Sequence, residues 1–399
     1  MNLQSPIRPS RMTVLFSYGF RPFFMLAGWF ALVGIGAWLW LYTGGFAWAP
    51  GLPTSQWHAH EMLFGFVVSA IAGFMLTAVP SWTSSRGFAG WPLVVLTVLW
   101  VAGRLAMAYA GLLPFALVAV AELLFLPAVA ALLAPPLLRS RNRNTPLLFV
   151  LLALWSADIV FMLALQRGDA ALAGSAVRFA LNLVLLLITV IGGRIVPAFT
   201  ANALRARGVT LRMRSHALLE RAVIALMVLV VITDLVRPGG TVAGWVAAVA
   251  GLLQLVRMSG WNGHRTLRDP IVWVLHAGYV WIPAGLLLKA AALLGGFAWA
   301  AFWLHALGAG AAAVMILAVM SRASLGHTGR ALKVGPAMAV SYLLLIFAVM
   351  VRVFGPAVSG WSYATVVQVA GGLWLAAFSI FAAIYTPMFL APRVDGKSG

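Results

Sequence analysis

The chain has 399 residues, 63% of them apolar and 9% charged, with a net charge of +19 and no cysteine, and its mean hydropathy is +0.99. That balance excludes an ordinary soluble domain. The lack of cysteine excludes disulfides, iron–sulfur clusters and haem attached covalently through C-x-x-C-H.

Repeated apolar runs of about twenty residues mark a polytopic membrane protein. The pattern predicts an all-α bundle of about 12 transmembrane helices forming one domain, 1–399. The expected spans are 22–42, 58–80, 91–110, 113–134, 146–166, 176–198, 216–236, 241–260, 270–293, 297–321, 334–355 and 361–389. Gly and Pro punctuate many connections, as at Gly44-Gly45, Pro135-Pro136, Pro238-Gly239-Gly240 and Gly355-Pro356. Basic residues precede the first span, but no small-residue cleavage site follows a short apolar core, so that span is expected to be an uncleaved helix rather than a signal peptide. Residues 1–200 and 201–399 show no internal repeat, which weighs mildly against the inverted repeats common in transporters.

The basic residues set the expected orientation. Arg8, Arg11, Arg21, Arg86, Arg139, Arg141, Arg143, Arg194, Arg205, Arg207, Arg212, Arg214, Arg257, Arg265, Arg268, Arg322, Arg330, Lys333, Arg393 and Lys397 all fall on one side, 20 of the 27 in the chain. The other side has at most Arg167, Arg178, Arg237, Lys289 and Arg352, while Arg104 and Arg221 lie within spans. The positive-inside rule then predicts cytoplasmic termini, with tails 1–20 and 390–399. Orientation in the lipid bilayer explains the charge, and nucleic-acid binding is not needed for it.

The second span opens with Trp57-His58-Ala59-His60-Glu61-Met62 and ends at Ala78-Val79-Pro80-Ser81-Trp82-Thr83. From Glu61 onward, residues four apart are Gly65, Ser69, Gly73 and Thr77, so one helical face carries only small side chains. Such a face admits a neighbouring helix, the commoner outcome, or a flat cofactor. Ionisable groups inside spans are functional suspects. On the predicted topology His58, His60, Glu61, Arg104, Glu122, Asp158, Arg178, Asn182 and His305 all fall in the outer layer of the membrane. His276 and Arg194 fall toward the inner side, with His216, His264 and His327 at or in cytoplasmic connections. Two sites are therefore expected, one outer and one inner. Plainer roles are open for each group: interfacial anchoring for His58 and His60, a hydrogen bond across a helix pair for His305 and His276, and neutralisation of Glu122 and Asp158 by Arg104 and Arg178.

These motifs resemble the NnrS family. The resemblance rests on the Trp57–Met62 stretch with Gly73-Phe74-Met75-Leu76-Thr77-Ala78 and Trp82-Thr83, and on Gly193-Arg194-Ile195-Val196-Pro197-Ala198-Phe199-Thr200. Leu275-His276 with Tyr279, Ser324-Leu325-Gly326-His327-Thr328-Gly329-Arg330 after His305, and an early Gly19-Phe20-Arg21-Pro22-Phe23-Phe24 complete it. Ser81 departs from the Asn expected before Trp82-Thr83. The resemblance implies a multi-pass protein of the bacterial inner membrane that holds haem b non-covalently together with copper and belongs to the nitric oxide response of denitrifying bacteria. Imidazole suits both haem iron and copper, and guanidinium groups suit propionates. His60 and His305 are then expected as haem-level ligands, His58 as a further metal ligand, His276 at a second centre with His327 near the inner surface, and Arg104 and Arg178 as propionate partners. Glu61, Glu122, Asp158 and Arg194 would support them. Nitric oxide is the expected small-molecule ligand, and redox turnover would need an electron donor from outside the chain. The competing readings are a secondary transporter or exporter using the intramembrane Asp, Glu and Arg residues, and an assembly factor that holds haem or copper for another complex.

Overall fold

The computed structural model describes residues 10–45, 50–211, 213, 216–358 and 360–396. Arg8, Arg212, Arg214 and Lys397 lie outside them. After a short helix, Arg11–Leu15, come twelve long helical segments: α1 (Phe20–Tyr42), α2 (Thr54–Thr83), α3 (Trp91–Ala108), α4 (Phe115–Arg139), α5 (Pro146–Arg167), α6 (Ala170–Arg205), α7 (Ala217–Val236), α8 (Thr241–Ser259), α9 (Pro270–Gly295), α10 (Ala298–His327), α11 (Pro336–Val358) and α12 (Tyr363–Phe389). Eleven are long and apolar enough to cross a membrane. The other, α7, has 20 residues but carries Glu220, Arg221 and Asp234 and packs between α6 and α8. Among the described residues there is no strand.

Local chemistry starts and stops these helices where the sequence breaks. Proline stands in the first turn of α3, α5 and α9, where its missing N–H costs nothing. Asp169 caps α6 by accepting from the Leu172 amide, and Ser362 caps α12 by accepting from the Thr365 amide. Gly168 and Gly296 end α5 and α9 in the left-handed conformation, with φ of 67° and 63°.

Consecutive helices pack as neighbours, and α12 closes against α1. Arg21 ties that closure: its Nη1 donates to the carbonyls of Met388, Phe389 and Ala391. Arg393 donates to the His327 carbonyl. Both described chain ends therefore lie at one end of the bundle, called the terminal end below; the other is the distal end. Exposed Trp91, Phe149, Leu218, Val236 and Trp245 leave apolar surface for lipid.

The most enclosed of the eleven spans is α2, buried over 83% of its most apolar stretch, against 39% for α3 and α4. Its small-residue face is filled by α1. A Cβ on Gly65 would lie 2.4 Å from the Phe30 ring and one on Gly73 2.7 Å from Phe24. The Ser69 hydroxyl donates to the Phe23 carbonyl. The stripe is helix packing.

Candidate functional site

Among the breaks in regular helix, three shape the site in the distal half. In α2, residues Glu61–Val67 form a π-helical segment beginning directly after His60. In α10, Ala306–Ala313 does the same directly after His305. Such segments disturb the i→i−4 ladder and occur disproportionately at functional sites. At the first, the Trp100 indole donates to the Gly65 carbonyl at 3.1 Å. The third interruption is at Leu124, between Phe115–Leu123 and Phe125–Arg139 of α4. Pro127 has no N–H to give Leu123, and the Trp155 indole takes that carbonyl instead, at 2.9 Å. In lipid a freed carbonyl must find such a partner.

Between α2, α3, α4 and α5 these distortions gather five buried ionisable residues. His60 is 0% exposed, Glu61 1%, Asp158 2%, Glu122 4% and Arg104 8%. His60 Nδ1 lies 3.0 Å from Glu61 Oε1, and its Nε2 lies 3.1 Å from Asp158 Oδ1 and 3.7 Å from Glu122 Oε1. Arg104 Nη1 donates to Glu61 Oε1 at 2.6 Å, and its Nη2 donates to Glu122 Oε1. The imidazole is flanked by the rings of Phe64 and Phe161. Three ionised carboxylates against one guanidinium leave two negative charges. A neutral imidazole has a single N–H, so it cannot donate to Glu61 and Asp158 together. The cluster thus calls for further positive charge, as protons or as a cation. Oε2 of Glu122 is buried with no hydrogen-bond partner, beside a void of about 10 Å³ also lined by Arg104 and Asp158. Among the described residues the one group of three His, Asp or Glu side chains close enough to share a metal ion is His60, Glu122 and Asp158, with ligand atoms within 4.8 Å of one another.

On another face of α2 lies a cavity of about 350 Å³, lined by residues of α1, α2, α6, α10, α11 and α12. His58 and Met62 reach it from α2, and His305 with Gly308, Ala309, Ala312 and Ala313 reach it from α10. Its walls are mostly aliphatic and aromatic, no carboxylate lines it, and its volume is within the range of cofactor sites. The His58 ring stacks on Trp38 at 4.4 Å, while its Nδ1 is buried without a hydrogen-bond partner. Arg352 also lines the cavity, and its Nη1 is likewise buried and unpartnered. Leaving such groups unpaired costs roughly 1–3 kcal/mol each, so a ligand is the natural complement.

The family model described as NnrS protein matches residues 14–393. The chain belongs to the NnrS family. No curated protein matches it.

In this NnrS chain the expected outer residues divide between two places. His60, Glu61, Arg104, Glu122 and Asp158 form the ionic cluster, whereas His58 and His305 share the cavity. The expected pairing of His60 with His305 gives way to His58 with His305, because residues 58 and 60 point from α2 in different directions. Arg104 is engaged by Glu61 and Glu122. Arg178 donates to the Ser175 hydroxyl at 2.9 Å and is absent from the cavity wall.

Toward the terminal end, the NnrS motif residues are held singly. His276 Nε2 lies 2.8 Å from the Thr200 hydroxyl, and Arg194 donates to Asn144 Oδ1. His327 stacks on Tyr18 and is tilted against Phe20. His216 stands at the N-terminus of α7, and His264 lies in the turn before α9.

Sequence reasoning missed two features. Arg352 and Lys289 both looked like residues near connections. Lys289 is 1% exposed and pairs with Asp234 at 2.5 Å, with the Asn182 amide donating to the same carboxylate at 2.8 Å. Asp234 inside α7 was the available signal.

Proposed function

We propose that the cavity holds haem b, with His58 and His305 as its iron-facing imidazoles, and that the protein acts in the nitric oxide response by binding nitric oxide there. The observation carrying this reading is the pair of histidines from α2 and α10 on one apolar cavity, with His58 Nδ1 buried and unpartnered. The donor set fits haem: neutral imidazole is its common axial ligand, small residues of α10 admit a flat group, and no carboxylate competes at the wall. Bound there, haem supplies an iron that ligates nitric oxide and exchanges electrons. The protein's part would be to hold the iron through these imidazoles, exclude water with apolar walls, and admit a small apolar gas from the hydrocarbon layer.

The second cofactor is copper, which we place at His60, Glu122 and Asp158. One imidazole nitrogen and two carboxylate oxygens form a mixed N,O set that copper(II) accepts, as harder divalent ions do, and the ion would supply the positive charge that Arg104 leaves lacking. The bacterial inner membrane is the expected location.

Absorption spectra and metal analysis on detergent-purified protein test both assignments. His58→Ala and His305→Ala should lose or shift the Soret band and keep copper, whereas Asp158→Asn should lose copper and keep the band. Wild type with neither Soret band nor metal would overturn the reading and favour the transporter class, for which the buried carboxylates of α4 and α5 are the supporting feature. Haem and copper binding without nitric oxide uptake would favour an assembly factor.

A further inference from the structure

Among the described residues Arg352 is the one arginine or lysine on the cavity wall. It rises from the last turns of α11, and its Nη2 donates to the Tyr363 hydroxyl at the start of α12, at 2.6 Å. The guanidinium carbon lies 4.8 Å from the Phe302 ring centre and 5.1 Å from that of Tyr363. This stacking holds the charged plane in place. No salt bridge reaches it among the described residues, and its Nη1 is buried without any acceptor. Arg352 and Tyr363 both line the cavity, alongside His58 and His305.

A guanidinium oriented by two aromatic rings, with unused N–H groups and no carboxylate nearby, is a receptor for a planar oxyanion. We propose that Arg352, oriented by Tyr363 and Phe302, is the carboxylate anchor of the cavity and fixes which way round an amphiphilic tetrapyrrole enters, its carboxylate edge toward the distal end and its apolar body against α10. This inference rests on the haem reading above. It assigns the anchoring role expected of Arg104 and Arg178 to a residue of a different helix pair. It also makes the site selective for a ligand that joins an apolar body to an anionic edge.

The test titrates haem b, and separately its dimethyl ester, into apo-protein in neutral detergent, following the Soret band. Wild type should bind the free acid on the order of tenfold more tightly than the ester, the value of about one charge-assisted hydrogen-bond pair. Arg352→Gln should bind both alike. Arg352→Lys keeps the charge but not the fork and should retain part of the preference, and Tyr363→Phe, which removes the hydroxyl that orients the guanidinium, should narrow the free-acid to ester ratio. Repeating the wild-type titration with phosphatidylglycerol added separates the two anion sources: a lipid phosphate seated at Arg352 would abolish the preference for the free acid and overturn the proposal. Equal discrimination by Arg352→Gln and wild type would also overturn it. Absence of a Soret band with either ligand in wild type removes the haem reading itself, a different failure from loss of discrimination.

Discussion

Nε2 of His60 stands 3.1 Å from Oδ1 of Asp158, joining α2 to α5 across a fully buried contact. With Arg104 and Glu122 it makes the electrostatic knot of the distal half, where neither water nor salt screens the charges. The removal of any one member is therefore felt by all.

Arg104→Met should be strongly destabilising, by about 3–5 kcal/mol, because it strands Glu61 and Glu122 without their shared cation. The double variant Arg104→Met with Glu122→Gln should recover part of that loss. Thermal unfolding in detergent, followed by tryptophan fluorescence, reads both; a double variant no better than the single would show that Arg104 acts chiefly through Glu61.

Lys289 and Asp234 form a second buried pair. Lys289→Met alone should cost about 3–5 kcal/mol, whereas Lys289→Met with Asp234→Asn should be near neutral, since the apolar and amide replacements leave no charge unpaired. The same unfolding assay decides this. Full Soret absorption and copper content in the double variant would separate this pair from both proposed cofactor sites.

Gly65→Ala places a methyl group 2.4 Å from the Phe30 ring. Overpacking should cost about 1–3 kcal/mol while the Soret band stays where it is, because that face meets α1 and not the cavity. A band that shifted with this substitution would show that strain at Phe30 is passed along α1 to Trp38 and the cavity wall.

Arg21→Ala removes three carbonyl contacts at the end of α12. Each hydrogen bond from a charged donor contributes about 1.5–3 kcal/mol, so the C-terminal turn should fray. Proteolysis near residues 388–391 should become faster at a concentration of protease that spares wild type.

Composition and periodicity alone made the helical membrane architecture and its approximate spans legible, because apolar runs of bilayer length have few alternatives. That His60, Glu61, Arg104, Glu122 and Asp158 share one level of the bundle was legible as well, since level follows from distance along a helix. A shared level does not say which residues meet. His58 and His60 differ by two positions, and only the rotation of α2 and its π-helical segment sends one to the cavity and the other to the carboxylates. Arg352 looked like one more basic residue near a connection. Its isolation among aromatic rings exists only once α10, α11 and α12 are brought together.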